Sequence, residues 1–307
     1  MIRSAFLFPG QGAQAVGMGK SFYDLSDTAR AIFARADEIL GYKLSSLCFE
    51  GPEDELKLTR NTQPALLTVS HIAFILLERE PWIAAGHSLG EYSALVAAGS
   101  LRFEDAVLLV HKRGRYMQEA VPVGEGAMAA VLGMSLEDLA SVLTRVAGGI
   151  VQIANWNSQD QIVIAGHKTA VDEALRIAHA PRSVMLPVSA PFHSALMQSA
   201  EERLSVDLDR TEFADPRFPI ITNVAARMIR TGEEAREALK RQVSRPVLWF
   251  KSMELLRTEN IDAFVELGSG KILTGLMKRI GRGWPHPFTA WAVEDADSLE
   301  KTRNSLS

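Results

Sequence analysis

Residues 82–98 read WIAAGHSLGEYSALVAA, and this stretch decides the fold. The short apolar segment over residues 82–85 predicts a strand, and the alanine-rich segment over residues 89–98 predicts a helix. Between them, GHSLG at residues 86–90 has the G-x-S-x-G pattern of a sharp strand-to-helix turn, which projects a serine hydroxyl clear of a sheet. We therefore interpret Ser88 as a nucleophile, and the alternative is a tight turn in which the serine only caps the helix.

Strand-like apolar runs alternate with helical patterns on both sides of this stretch, which indicates an α/β architecture with a mainly parallel sheet. Between residues 124 and 188 the order becomes strand-helix-strand-strand-helix-strand, the ferredoxin-like pattern. We predict a small inserted subdomain at residues 123–190, between two parts of a large catalytic subdomain at residues 1–122 and 191–307. Other predicted helices cover residues 28–40, 64–77, 104–119, 194–208 and 272–280.

Composition and charge argue against several classes of protein. The 307 residues carry a formal net charge of −4, which gives no global attraction to nucleic acid or to an anionic membrane. Cys48 is the single cysteine, so no intramolecular disulfide can form, and no cysteine–histidine cluster has zinc-ligand spacing. Pro9 interrupts the apolar start too early for a signal peptide, and the apolar run over residues 65–77 is shorter than a membrane span. We expect a cytoplasmic protein without a metal.

A nucleophilic serine needs a base, and histidine is the usual one. His193 precedes the helix predicted from residue 194, and the positive end of a helix favours a neutral imidazole that can accept a proton. His71 and His111 lie within helical patterns, where structural roles are expected. His286, in a late loop, is the main rival, and position alone leaves the choice between His193 and His286 open.

The segment FPGQGAQ at residues 8–14 follows the first predicted strand. Its glycines let backbone N–H groups approach a ligand closely. It lacks the G-x-G-x-x-G spacing, and residues 268–271 fail the P-loop spacing, which argues against nucleotide binding. By itself the segment fits a structural loop as well as a loop that binds an oxyanion.

Arg113 falls on the apolar face of the helix predicted over residues 104–119, together with Leu109, Val110 and Met117. A guanidinium that faces the interior is costly unless a carboxylate or several acceptors meet it. One interpretation is an ion pair with a carboxylate of the protein. The other is a binding site for a substrate carboxylate, which the planar guanidinium would hold through two hydrogen bonds.

Seven ordered motifs resemble those of the malonyl-CoA:acyl carrier protein transacylase family, which is related to polyketide synthase acyltransferase domains. In order, they are a glycine-glutamine loop, a nucleophile elbow, an arginine helix, a strand of the small subdomain, a histidine motif, a glutamine segment and a C-terminal glycine turn. They lie at residues 8–14, 86–92, 112–118, 157–158 with 161–166, 191–197, 242–249 and 266–275. The resemblance implies that the large part of the chain is α/β-hydrolase-like and that the small subdomain is ferredoxin-like.

The resemblance also implies a ping-pong reaction of fatty acid or polyketide synthesis. Ser88, deprotonated by His193, would take the malonyl group from malonyl-CoA, and the phosphopantetheine thiol of acyl carrier protein would then accept it. The backbone N–H groups of Gln11 and Leu89 would form the oxyanion hole. No cofactor is implied, because malonyl-CoA is a substrate, and we expect a monomer that contacts neither nucleic acid nor membrane.

The resemblance assigns substrate binding to Arg113, Phe192 and Gln242. Arg113 would bind the free carboxylate of the malonyl group, and a backbone carbonyl near Gln242 would orient the histidine. In related polyketide domains, phenylalanine at the position of Phe192 accompanies a choice of malonyl over methylmalonyl, because a bulky ring would crowd an added methyl group.

Two rival classes stay open, a serine hydrolase and a non-catalytic binding module. A serine hydrolase of the α/β-hydrolase type would use an acid and a histidine late in the chain, such as Asp262 with His286. A patatin-like lipase would need an Asp-Gly pair after the serine, which the sequence lacks. A non-catalytic module that binds acyl carrier protein would have no use for the serine and histidine motifs.

Overall fold

The chain is described from a computed structural model, which covers residues 2–188 and 190–306. Met1, Ser189 and Ser307 lie outside the described residues. Ser189 directly follows the strand predicted over residues 182–188. The described residues form strands β1 Ser4–Phe8, β2 Ile83–Gly86, β3 Gly126–Leu132, β4 Val151–Ser158, β5 Gln161–His167, β6 Arg182–Met185, β7 Ile220–Ile221, β8 Met228–Ile229, β9 Ala263–Leu267 and β10 Thr289–Val293.

The helices surround two sheets. They are α1 Lys20–Leu25, α2 Asp27–Leu40, α3 Leu44–Glu50, α4 Glu53–Lys57, α5 Thr59–Leu77, α6 Gly90–Ala97, α7 Phe103–Glu119, α8 Leu136–Leu143, α9 Lys168–Ala178, α10 Gln198–Asp209, α11 Gly232–Gln242, α12 Trp249–Glu254, α13 Ile272–Ile280 and α14 Ala296–Ser305. Short 3₁₀ turns occupy Ala195–Met197 and Leu255–Thr258.

The large sheet has the strand order β10-β9-β1-β2-β7-β8. Its first five strands are parallel, and β8 pairs antiparallel with β7. Because parallel strands all end at one edge, the loops after β1, β2, β7 and β9 meet there, which is where open α/β sheets place their ligands. The predicted α/β fold with a mainly parallel sheet is confirmed.

The small sheet is antiparallel and has the order β4-β5-β3-β6. Helix α8 connects β3 to β4 and helix α9 connects β5 to β6, so the chain follows strand-helix-strand-strand-helix-strand as the sequence pattern predicts. Its elements run from Gly126 to Met185, inside the subdomain predicted at residues 123–190.

Apolar side chains cover both faces of the large sheet. Strand β1 shows why, because Phe6 and Phe8 pack into one core with α2, α5, α6 and α7, while Ala5 and Leu7 pack into the other with α12 and α13. Side chains alternate between the two faces of a strand, and a strand buried on both faces is apolar throughout. This explains why the first strand is a continuous apolar run.

Helix α5 begins five residues before the predicted start at Pro64. The predicted start was wrong. It relied on the preference of proline for the first turn of a helix, whereas Pro64 lies inside α5. Proline has no N–H to donate to the carbonyl of Arg60, and that carbonyl instead meets Nδ1 of His111 at 3.0 Å. Among residues 2–188 and 190–306, no helix is long and apolar enough to cross a membrane.

Candidate active site

The strand-to-helix turn after β2 holds Ser88 in a strained conformation. Ser88 has a φ of 51°, in the left-handed region that costs a non-glycine residue free energy. A Cβ atom on Gly86 would collide with the backbone of Gly90, and one on Gly90 would collide with the carbonyl of Phe8. The two glycines are therefore required by close backbone approach, as the G-x-S-x-G pattern indicates.

Ser88, His193 and a backbone carbonyl form a hydrogen-bonded chain. The Oγ of Ser88 lies 2.7 Å from Nε2 of His193, and Nδ1 of His193 lies 2.8 Å from the carbonyl oxygen of Gln242. A carbonyl only accepts hydrogen bonds, so Nδ1 carries the proton and Nε2 is free to accept from the serine hydroxyl. The carbonyl takes the place that an aspartate occupies in a serine-histidine-aspartate triad.

The imidazole of His193 is neutral because it is buried. Burial lowers the pKa of His193 to about 3, and the nearby charge of Arg113 lowers it further in the same direction. The sequence predicted the same neutral state from the positive end of a helix, but a 3₁₀ turn at Ala195–Met197 separates His193 from α10. Burial and a neighbouring cation therefore replace the helix terminus as the physical cause.

Two backbone amides beside the serine have no partner within residues 2–188 and 190–306. Neither the N–H of Gln11 nor that of Leu89 donates to any atom of the described residues, and both residues line the cavity that contains Ser88. Leu89 directly precedes α6, where amides of the first turn have no carbonyl within the helix to bond to. Free N–H groups at this place are what an oxyanion beside Ser88 would need.

Arg113 projects from α7 into the same cavity and is only 1% exposed. Its Nη2 donates to Oγ of Ser88 at 3.1 Å and to Oε1 of Gln242 at 2.9 Å. No carboxylate of the described residues lies within 4.0 Å of its guanidinium nitrogens. Burial lowers the pKa of Arg113. The ion pair with a protein carboxylate, one of the two interpretations of Arg113, is therefore absent from these contacts.

Apolar side chains line the same cavity as these polar groups. Phe192 lines it directly, beside His193, as the sequence analysis expected of a substrate-binding residue. Gln242 does not line it, because its side chain is completely buried behind Arg113. The remaining apolar lining comes from Met117, Met128, Leu186 and Val188.

Two buried polar residues that the sequence did not single out, Asn223 and Glu91, support the turn, and a third, Gln63, lies in the cavity wall. Asn223 accepts from the backbone N–H of Ser88 at 2.6 Å and donates to the carbonyl of Gly86 at 2.7 Å. Glu91 accepts from Asn223 and from Gln242. The amide oxygen of Gln63, also in the cavity wall, has no partner among the described residues. Asn223 follows the short strand β7, so its place at the carboxyl edge of the sheet was a signal that could have been used.

His286 and Asp262, the rival pair, do form a contact of 2.9 Å. Asp262 directly precedes β9, whereas Ser88 follows the end of the parallel strand β2. The pair therefore lies at the opposite edge of the sheet from the serine. The described residues contain no cluster of three or more histidine, cysteine, aspartate or glutamate side chains placed to hold a metal ion.

Comparisons with known proteins show the family to which the chain belongs. Residues 5–282 match the acyl transferase domain family. The chain is 47% identical over 315 aligned positions to the malonyl CoA-acyl carrier protein transacylase of Bacillus subtilis (strain 168), which covers 100% of this chain and 98% of that protein. It is 45% identical to the transacylase of the same name from Escherichia coli (strain K12), over 91% of this chain and 93% of that protein.

Solved structures give the same result. The malonyl CoA-acyl carrier protein transacylase from Coxiella burnetii superposes with a TM-score of 0.95 at 40% identity, over 99% of this chain and 98% of that one. A malonyl-transacylase solved in complex with the acyl carrier protein of a type II polyketide synthase superposes with a TM-score of 0.94 at 41% identity, over 99% of both chains.

Proposed function

Since the chain belongs to the acyl transferase domain family, we propose that Ser88 and His193 carry a malonyl group from malonyl-CoA to the phosphopantetheine thiol of acyl carrier protein. One observation carries the assignment of residues. A serine hydrogen-bonded to a neutral histidine shares its cavity with a buried arginine that contacts no carboxylate of the described residues. This combination suits an acyl group that ends in a carboxylate.

The first half-reaction acylates the enzyme. Nε2 of His193 takes the proton of the Ser88 hydroxyl while Oγ attacks the thioester carbonyl of malonyl-CoA. The N–H groups of Gln11 and Leu89 stabilise the oxyanion of the tetrahedral intermediate. As the C–S bond breaks, His193 returns the proton to the departing thiolate, which leaves as coenzyme A. Burial lowers the pKa of His193, which favours return of the proton from the imidazolium to the thiolate.

The second half-reaction repeats these steps in the opposite direction. His193 takes the proton of the phosphopantetheine thiol, the sulfur attacks the malonyl ester on Ser88, and the same two amides stabilise the new oxyanion. When the C–O bond breaks, the proton returns to Oγ of the serine. The products are malonyl-acyl carrier protein and the free enzyme, and both steps balance without any further reactant.

Arg113 and Phe192 select the acyl group in this account. Arg113 binds the malonyl carboxylate, and the ring of Phe192 limits the space beside the carbon that a methyl group would occupy. We reassign Gln242 from substrate contact to support, because its carbonyl orients His193 and its side chain positions Arg113.

We also propose that the chain acts as a cytoplasmic monomer. Ser88, His193 and Arg113 meet within a single chain. The single thiol, Cys48, is buried and unpaired, as a reducing compartment allows.

Transfer between purified components tests the proposed function. The wild-type protein, malonyl-CoA and holo-acyl carrier protein should yield malonyl-acyl carrier protein, detected by intact-protein mass spectrometry. Apo-acyl carrier protein, which lacks the thiol, is the control and should stay unmodified. Malonate release without any malonyl-carrier product would contradict the proposal and favour a hydrolase.

A further inference from the structure

A carboxylate that the proposed steps do not use lies beneath the nucleophile turn. Glu91, in the first turn of α6, is 1% exposed. Its Oε2 accepts from Nε2 of Gln242 at 2.8 Å and from the backbone N–H of Asn223 at 3.0 Å. Its Oε1 has no partner among the described residues. Burying a carboxylate is costly, so a charge retained here calls for a physical reason.

Gln242 connects this carboxylate to Arg113. Its Nε2 donates to Glu91 and its Oε1 accepts from Nη2 of Arg113 at 2.9 Å, so one amide separates the two charges. A carboxylate in direct contact would occupy the guanidinium edge that a substrate carboxylate needs. At one amide's distance, Glu91 still offsets the charge of a buried arginine and leaves its guanidinium accessible from the cavity.

We propose that Glu91 is the counter-charge of Arg113, held one amide away by Gln242, and that its charge limits how strongly the site attracts an acyl group that bears a carboxylate. The proposal rests on malonyl transfer as the function. Glu91 touches no substrate atom and acts through Arg113 and Gln242. A malonyl carboxylate bound at Arg113 lies on the far side of the same amide, where the like charge of Glu91 opposes its binding.

The charge of Glu91 also depends on pH. Burial raises the pKa of Glu91 to about 7, although its hydrogen bonds and Arg113 act in the opposite direction. The charged or titratable groups that face it are Arg113 from α7 and the hydroxyl of the adjacent Tyr92. Strands β1 and β2, which pack against α6, carry no titratable side chain, and His71 and Arg60 of α5 do not act on Glu91.

The sign of the pH effect follows from this pKa. As the pH falls through about 7, Glu91 takes up a proton and no longer repels the malonyl carboxylate. The protein should therefore favour malonyl-CoA over acetyl-CoA more strongly at lower pH. By linkage, malonyl binding raises the pKa of Glu91 to the same extent. Ionisation of His193 or of the carrier thiol changes malonyl transfer and acetyl transfer by the same factor. It therefore cancels in the ratio of their kcat/KM values.

Replacing Glu91 with glutamine isolates the charge. Glu91→Gln keeps an acceptor oxygen for Gln242 and Asn223 and removes the negative charge. The ratio of kcat/KM for malonyl-CoA to that for acetyl-CoA is measured by transfer to holo-acyl carrier protein at pH 8. It should rise about tenfold, the order expected at an effective dielectric constant of about 20 for a unit charge separated from the substrate carboxylate by both the amide and the guanidinium. The dependence of the ratio on pH should disappear.

Glu266→Gln is the matched control. Glu266 is also completely buried, and it accepts from the backbone N–H groups of Leu273 and Thr274 at the start of α13. Its replacement should lower the melting temperature and leave the malonyl-to-acetyl ratio unchanged. This control separates loss of a buried carboxylate in general from loss of the charge behind Arg113.

The wild-type protein provides a second measurement in case Glu91→Gln does not fold. Its malonyl-to-acetyl ratio should rise as the pH is lowered from 8 to 6. An unchanged or lower ratio in folded Glu91→Gln, or a wild-type ratio independent of pH, would show that Glu91 is only structural. If the wild-type protein transfers no malonyl group at all, the proposed function fails, which is a different and recognisable result.

Discussion

Replacing Arg113 with alanine should remove most malonyl transfer and leave the fold intact. No carboxylate of the described residues contacts Arg113 directly, so the substitution breaks no direct ion pair and removes only the charge that faces Glu91 across the amide of Gln242. A malonyl carboxylate in the altered cavity would lose its charged partner, and truncating one member of a buried charge pair costs about 2–5 kcal/mol. At about 1.36 kcal/mol per tenfold, kcat/KM for malonyl-CoA should fall by about 30- to 5,000-fold.

Acetyl-CoA is the comparison substrate, because it has no carboxylate for Arg113 to bind. Acetyl transfer should lose only the contact between Nη2 and Oγ of Ser88, so the malonyl-to-acetyl ratio should fall at least about tenfold. Lysine should rescue poorly, since an ammonium is a point charge without the planar fork. Arg113→Met keeps much of the side-chain volume and separates lost packing from lost charge.

Thermal unfolding measured on the same variants decides between the two interpretations of Arg113. The substrate-binding account predicts a similar, moderate drop in melting temperature for alanine and methionine, because Gln242 loses one hydrogen bond and Glu91 loses its counter-charge, together with a malonyl-to-acetyl ratio that falls at least about tenfold. A large drop in melting temperature, with malonyl and acetyl transfer reduced by the same factor, would refute it and restore a structural role for the arginine.

Three further substitutions test other parts of the site. His193→Ala should slow acylation by about 10²–10⁴-fold, the usual effect of losing a general base, whereas His286→Ala should stay near wild type; the reverse order in a single-turnover assay would favour the hydrolase interpretation. Phe192→Ser should relax the preference for malonyl over methylmalonyl without inverting it, because one methyl group is worth about 1–3 kcal/mol; an unchanged ratio in a competition assay would remove Phe192 from the pocket. Asn223→Ala leaves two buried backbone groups unpaired, at about 1–3 kcal/mol each. It should therefore lower the melting temperature and reduce malonyl and acetyl transfer alike. A selective loss of malonyl transfer would contradict a purely structural role.

The sequence was most informative where function depends on local backbone geometry. The glycines beside Ser88 are required by contacts within the turn and with β1, so a five-residue pattern is enough to predict the turn. The apolar stripe of α7 likewise predicted that Arg113 faces the interior, and it is 1% exposed. The alternation of apolar strand-like runs with helical patterns predicted the mainly parallel sheet. A strand that is buried on both faces is apolar throughout, so this signal also lies in the local sequence.

The support of the site could not be predicted, since it depends on contacts between distant parts of the chain. Glu91 meets Asn223 and Gln242, which are 132 and 151 residues away. A glutamate in the first turn of a helix is usually a solvated residue that complements the helix dipole, so nothing local indicates that this one is buried. Gln242 shows the same limit, because the resemblance identified its segment but not the side of Arg113 on which its side chain lies.

The helix starts show a different limit. Pro64 is a reliable signal for a first turn, yet α5 begins at Thr59 because a histidine from α7 meets the carbonyl that proline leaves free. His193 was expected at a helix terminus and lies instead before a 3₁₀ turn. For Pro64, the packing of α5 against α6 and α7 outweighs a cost of about 3 kcal/mol for proline inside a helix.

The central claim is that the malonyl group is held covalently on Ser88, and the mass of the intact protein tests it most directly. After brief mixing with malonyl-CoA in the absence of acyl carrier protein, the wild-type protein should gain the mass of one malonyl group. Ser88→Ala should gain none, and addition of holo-acyl carrier protein should return the wild-type protein to its original mass. A malonyl adduct that persists on Ser88→Ala, or a wild-type protein that transfers malonyl without any adduct, would contradict the account.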